Sequence, residues 1–207
     1  MINQLKQAVQ EIYNQFDASH DFQHIERVFQ NAESILETEP EADREIVQIA
    51  VLLHDVSDKK YTDSKENEDA LLNSLTLSDA KKRHIKEIIE SVSFNGGNEV
   101  AAKSIEAKIV RDADRLDAIG AVGVARTFAY GGAKGRKLYD DAEEVRIHMS
   151  EEEYRSKSTA SVTHFYEKLL LLKDLMTTEK GKQMAEERHA FMESFLDQLK
   201  AEREGRA

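Results

Sequence analysis

Histidine and aspartate side chains occur in three separate clusters, each beside apolar residues with helical spacing. The candidate metal ligands in these clusters are His20, Asp21, His24, His54, Asp55, Asp112, Asp114 and Asp117. Neutral imidazole nitrogens and carboxylate oxygens bind divalent metals well, and a buried carboxylate is costly unless it is paired or bound to a metal. Each cluster alone also suits a capped helix end or a core histidine, but together they predict a metal site.

The apolar residues predict that these clusters lie on separate helices. They recur at intervals of three and four along most of the chain, and no strand-like alternation is convincing. Residues 101–130 read as one long helix, or as two packed end to end, and HFYEKLLLLKDLM reads as a further helix. Residues 131–163 read as a long polar insertion. We therefore expect an all-α, single-domain helical bundle with a metal site in its interior.

Composition excludes several kinds of protein. A chain of 207 residues suits one domain, and a net charge of −11 disfavours binding to long nucleic acids. The absence of cysteine excludes disulfides and thiolate ligands. The amino-terminal segment lacks a continuous apolar signal region, and the apolar runs are too short for a membrane helix. We expect a cytoplasmic protein with no membrane partner.

Taken together, the motifs HDFQHIERV, LLHDVSDKKY and RDADRLDAIGAVG resemble those of the HD superfamily of metal-dependent phosphohydrolases. The resemblance runs from about residue 18 to at least residue 130, and the last third is similar to small single-domain bacterial HD hydrolases, which include nucleotide pyrophosphohydrolases. It implies one HD-type domain over residues 1–207, with a core of about 18–130 and carboxyl-terminal helices in 131–207 that complete the pocket. The metal ligands that it implies are His24, His54, Asp55 and Asp114.

A set of two nitrogens and two carboxylates favours an octahedral divalent ion over tetrahedral structural zinc. We expect Mn²⁺, with Mg²⁺, Fe²⁺ and Co²⁺ as alternatives. The sequence lacks the additional histidines and the GYP element of the cyclic-dinucleotide phosphodiesterases that hold two or three metals.

Asp58 is the predicted catalytic base, because it follows Asp55 by three residues and matches an acidic position that orients water in related HD hydrolases. A solvated aspartate at a helix end is the alternative.

Asp117 is expected to hold a ligand or a basic partner such as Arg115. The predicted substrate-binding residues are His20, Lys60, Arg126, Tyr130, His164 and Lys168, and the roles of Lys60, His164 and Lys168 are implied by the family resemblance. A turn residue, exposed lysines and a surface loop are the alternatives for these positions.

The predicted substrate is a small phosphorylated molecule, and the sharper hypothesis is a nucleoside triphosphate cleaved to a monophosphate and pyrophosphate. The alternatives are a nucleoside monophosphate phosphatase, a phosphodiesterase for cyclic nucleotides or oligonucleotides, and a non-catalytic nucleotide-binding module. The apolar residues near the carboxyl terminus suit either a core or a homodimer surface.

Overall fold

The computed structural model describes residues 1–14, 22–57, 64–93, 100–146, 149–150, 152–153 and 158–206. The described residues form helices and connecting segments, without a strand. In chain order the helices are α1 (Ile2–Tyr13), α2 (Phe22–Leu36), α3 (Arg44–Leu53), α4 (Glu66–Ser74), α5 (Asp79–Val92), α6 (Ile105–Asp117), α7 (Gly120–Ala133), α8 (Ser161–Glu167), a 3₁₀ helix (Leu169–Leu175) and α9 (Glu179–Arg203). The predicted all-α fold is confirmed for the described residues.

The contacts along the chain define two compact units. The first contains residues 1–93 and 99–114, and the second contains residues 94–98 and 115–207. The extent of the single domain predicted over residues 1–207 stays a prediction. None of the described helices combines the length and apolar character that are needed to cross a membrane.

Helix α3 is the centre of the first unit. It packs against α1, α2 and α5, and its residues from Ile49 to Leu53 are fully buried. The carboxylate of Asp43 caps its amino terminus by accepting hydrogen bonds from the backbone N–H groups of Glu45 and Ile46, at 3.1 and 3.3 Å. The cap fixes where α3 begins, and the buried apolar run carries its carboxyl-terminal end into the core.

Residues 101–130, which were predicted to form one long helix or two helices packed end to end, contribute to two helices, α6 and α7. The break lies at Gly120, whose φ of 74° belongs to the left-handed region that glycine adopts without steric cost. A Cβ atom at this position would also lie 2.9 Å from Cγ of Arg188. The conformation and the close approach both require glycine here.

The second unit is built on α9, which packs against α7 and the 3₁₀ helix, while α8 also contacts both of these elements. The prediction of one continuous helix over HFYEKLLLLKDLM was wrong. Helix α8 ends at Glu167 and Lys168 leaves helical geometry with φ −142° and ψ −60°. Phe165, Leu169 and Leu172 are buried. The predicted polar insertion, residues 131–163, overlaps a helix at each end, because α7 ends at Ala133 and α8 begins at Ser161.

Candidate metal centre

His54 lies at the buried carboxyl-terminal end of α3, and its ring is held in a fixed orientation. Its Nδ1 atom lies 2.8 Å from the carbonyl oxygen of Val51. A carbonyl oxygen only accepts hydrogen bonds, so Nδ1 carries a proton, and Nε2 is the ring nitrogen that offers a lone pair when the ring is neutral. Nε2 is buried and has no hydrogen-bond partner among the described residues. A buried ring nitrogen without such a partner suits a metal ligand, which gives up its proton when the metal binds.

Helix α2 and the end of α3 bring a second histidine and a carboxylate to the same point. Nitrogen and oxygen atoms of His24, His54 and Asp55 all lie within 4.8 Å of one another. Nε2 of His24 is 3.5 Å from Oδ2 of Asp55, and Nε2 of His54 is 3.6 Å from Oδ1 of the same carboxylate. Both histidines are buried, whereas the Asp55 side chain is 20% exposed.

Asp114, on α6, supplies the second carboxylate. Its Oδ1 atom lies 3.5 Å from Nε2 of His24 and 3.6 Å from Nε2 of His54. These separations exceed an ordinary hydrogen bond of about 2.7–3.2 Å. Two ligands that bind one cation at about 2.0–2.2 Å are separated by about 2.8–3.6 Å when they are adjacent in an octahedral or tetrahedral shell. The spacing therefore suits atoms that share a cation.

The carboxylates also set the electrostatics of this cluster. Burial alone would lower the pKa of His54, but the negative charges of Asp55 and Asp114 outweigh it and raise the pKa to about 10. Burial alone would raise the pKa of Asp114, but the imidazoles of His54 and His24 hold that pKa below its usual range. The cluster thus favours a positive charge at a buried position, which is what a cation site requires.

The structure brings the four residues implied as ligands together, while their assignment as ligands stays a prediction. The other two aspartates of the RDADRLD motif have different surroundings. Asp112 is fully buried in the first unit, and Asp117 is buried in the second. A basic partner of Asp117 is Arg126, whose Nη1 donates to its carboxylate at 2.5 Å. Arg126 was predicted to bind substrate, and this ion pair occupies part of its guanidinium.

Tyr130, His164 and Lys168, three of the predicted substrate-binding residues, belong to the second unit, where Arg136 acts on both Tyr130 and His164. Lys134 Nζ and the guanidinium carbon of Arg136 lie 5.7 and 5.1 Å from the ring centre of Tyr130. Burial, together with the positive charges of Lys168 and Arg136, lowers the pKa of His164 to about 3. His164 is therefore neutral at physiological pH and lies in a positive field, which suits binding of an anion. The roles of Tyr130, His164 and Lys168 in binding substrate stay predictions.

Some of the predicted residues lie outside the part of the chain that the structure describes. These are the catalytic base Asp58 and the substrate-binding residues His20 and Lys60. Asn31 is a buried polar residue beside the cluster that the sequence did not indicate. Asn31 is 6% exposed on α2 and donates from Nδ2 to the carbonyl oxygen of Ala113 at 3.0 Å. A polar residue within the apolar stripe of α2 was the signal that could have identified it.

Comparison with known proteins assigns the family. A family model described as HD domain matches residues 21–119. The chain is 39% identical to the YpgQ protein of Bacillus subtilis (strain 168) over 202 residues, which cover 95% of this chain and 90% of YpgQ. The chain therefore belongs to the HD-domain family, and this membership supports a hydrolase with a His/Asp site able to bind a divalent metal.

Solved structures with the same fold include a Lactobacillus plantarum protein with 33% identity and a TM-score of 0.88, covering 99% of this chain and 97% of that one. An HD-superfamily hydrolase from Bacillus thuringiensis is 42% identical, with a TM-score of 0.74, and the alignment covers 97% of this chain and 95% of that one. The crystal structure of B. subtilis YpgQ in complex with ADP aligns with 35% identity, a TM-score of 0.76 and coverage of 98% and 97%.

Proposed function

We propose that this protein is a metal-dependent phosphohydrolase that cleaves a nucleoside triphosphate between its α and β phosphates, giving a monophosphate and pyrophosphate. The observation that carries the proposal is the buried Nε2 of His54, which faces the carboxylates of Asp55 and Asp114 at 3.6 Å without a hydrogen-bond partner among the described residues. The ADP complex of YpgQ supports a nucleotide as the substrate class.

The residues that would hold the metal are His24, His54, Asp55 and Asp114. The chemistry that a divalent cation supplies in such a set is Lewis-acid polarisation of a phosphoryl group and a more acidic water. Mn²⁺ is the proposed ion. Two nitrogens and two carboxylates leave room for water in an octahedral shell, which suits Mn²⁺ and also Mg²⁺, Fe²⁺ and Co²⁺. The hydrogen bond from Nδ1 of His54 to Val51 keeps the opposite ring nitrogen directed at the cluster.

The remaining residues act on the nucleophile and on the phosphates. Asp58 is proposed to orient the attacking water and to accept its proton. Cationic side chains are proposed to neutralise the charge that develops on the phosphates as the bond breaks. The residues proposed to bind substrate are His20, Lys60, Arg126, Tyr130, His164 and Lys168.

The test is product analysis with a panel of substrates in the presence of Mn²⁺. Nucleoside triphosphates, diphosphates, monophosphates, cyclic nucleotides and short oligonucleotides are incubated with the protein, and the products are separated by chromatography. The expected products are monophosphate and pyrophosphate from a triphosphate. Orthophosphate from monophosphates would identify a phosphatase, and cleavage of cyclic or oligomeric substrates a phosphodiesterase. Binding without turnover would identify a nucleotide-binding module.

His54→Ala and Asp55→Ala variants test whether the cluster carries the activity. Either substitution is expected to abolish metal binding and turnover while most of the helical content remains, because the core is apolar. His84→Ala is the matched control, since His84 lies away from the cluster on α5, where its Nε2 contacts Glu106 at 3.2 Å. Unfolding of both cluster variants would instead make the His54–Asp55 pair mainly structural.

A further inference from the structure

Helix α2 contacts α6 at two points that lie on the same face of α2. His24 and Asn31 are seven residues apart, which is close to two helical turns and about 10 Å along the axis. Nε2 of His24 lies 3.5 Å from Oδ1 of Asp114, and Nδ2 of Asn31 donates to the carbonyl oxygen of Ala113 at 3.0 Å. The two contacts therefore reach neighbouring residues of α6, one a side chain and the other the backbone.

The hydrogen bond made by Asn31 constrains the backbone immediately before a proposed ligand. Ala113 is fully buried and Asn31 is 6% exposed, so water does not compete freely for either group. A bond to the backbone restrains how α6 can slide or rotate against α2, because the carbonyl oxygen is fixed to the helix itself. The direction of the Asp114 side chain depends on that rotation.

We propose that Asn31 is a positioning residue for the metal centre, holding α6 in the register that brings the Asp114 carboxylate to the imidazoles of His24 and His54. The inference rests on the proposed metal site. Groups that orient metal ligands from outside the coordination shell typically change metal affinity by about 10–100-fold when they are removed. Asn31 acts through the backbone of α6, so its effect is on affinity for the cation rather than on the chemical step itself.

Two variants remove the donor without adding a charge. Asn31→Leu keeps a side chain of similar size and branching, and Asn31→Ala removes the side chain. Ser91→Ala is the control, because Ser91 is also buried but its hydroxyl donates within its own helix, to the carbonyl oxygen of Ile88 at 2.7 Å. Titration calorimetry measures the Mn²⁺ dissociation constant of each protein. Circular dichroism measures helical content and the melting temperature with and without Mn²⁺.

The expected result is a dissociation constant raised by about 10-fold or more in the Asn31 variants and a smaller rise in melting temperature on adding Mn²⁺. The Ser91 variant should retain the affinity of the natural protein. An unchanged dissociation constant in the folded Asn31 variants overturns the inference and leaves the proposed function intact. Failure of both variants to fold with or without Mn²⁺ also overturns it, since Asn31 would then determine the fold. A natural protein that binds no Mn²⁺ overturns both proposals.

Discussion

Removing the ion pair between Arg146 and Glu167 in the second unit should lower stability by an amount that follows from the burial of the two side chains. The Glu167 side chain is 1% exposed and accepts hydrogen bonds from Nε and Nη2 of Arg146, at 2.6 and 2.9 Å. The Arg146 side chain is 18% exposed. Replacing Arg146 by alanine leaves a buried carboxylate with weaker partners, which include the hydroxyl of Thr159 at 3.1 Å. Removing one partner of a buried pair costs about 3–5 kcal/mol, which lowers the melting temperature of a chain of this size by about 10 °C.

The pKa of Glu167 gives this prediction a pH dependence. Burial alone would raise the pKa of Glu167, but the guanidinium of Arg146 outweighs it and holds the pKa below its ordinary value of 4.5. In the natural protein the stability gained from this carboxylate is present above the unfolded pKa and is lost as the pH falls through the lower folded pKa. In Arg146→Ala burial acts with much less opposition, so the folded pKa of Glu167 rises. The stability difference between the two proteins should therefore be largest at neutral pH and shrink on acidification.

Thermal and urea unfolding at neutral pH and near pH 5 measure this difference. Arg206→Ala is the control, because Arg206 and its partner Glu204 are largely exposed and such pairs contribute about 0–1 kcal/mol. Adding Glu167→Gln to Arg146→Ala should recover part of the lost stability, since it removes the uncompensated charge. An Arg146→Ala variant as stable as the control, or a difference that stays constant with pH, would refute the reasoning.

Three further predictions concern the proposed catalytic and binding groups. Removing metal with a chelator should lower the melting temperature, and Mn²⁺ at 100 times its dissociation constant should restore about 2.7 kcal/mol of stability; identical melting curves would contradict this. Asp58→Asn should lower kcat by about 100-fold or more with Mn²⁺ affinity retained, whereas loss of Mn²⁺ would make Asp58 a ligand. Lys168→Met should raise KM for the triphosphate more than it lowers kcat, while Lys173→Met, whose lysine pairs with Glu186 at 3.4 Å, should leave KM unchanged.

The local features of the fold could be predicted from the sequence because they depend on neighbouring residues. The apolar residues of α2 and α3 recur with helical spacing, and the polar pair His54–Asp55 follows Leu53, where α3 ends. The end of α8 at Glu167 could not be predicted in this way, since no glycine or proline marks it and the apolar run continues through Leu172. Tertiary packing decides that boundary.

The site was predicted less completely than the helices, because it depends on contacts between distant residues. Spacing alone left Asp112, Asp114 and Asp117 as equal candidates, and only the family resemblance selected Asp114. In the structure Asp114 lies beside the imidazoles of His24 and His54, whereas Asp117 pairs with Arg126. The bond from Asn31 joins residues 82 positions apart, a separation at which helical periodicity carries no information.

The central claim is that one divalent cation is held by residues from three helical segments, and anomalous diffraction from crystals grown with Mn²⁺ tests it most directly. We expect one Mn²⁺ per chain at about 2.0–2.3 Å from ligand atoms of the four proposed residues. These atoms are Nε2 of His24, Nε2 of His54 and carboxylate oxygens of Asp55 and Asp114. An anomalous peak elsewhere, or no peak within reach of these side chains at saturating Mn²⁺, would contradict the account.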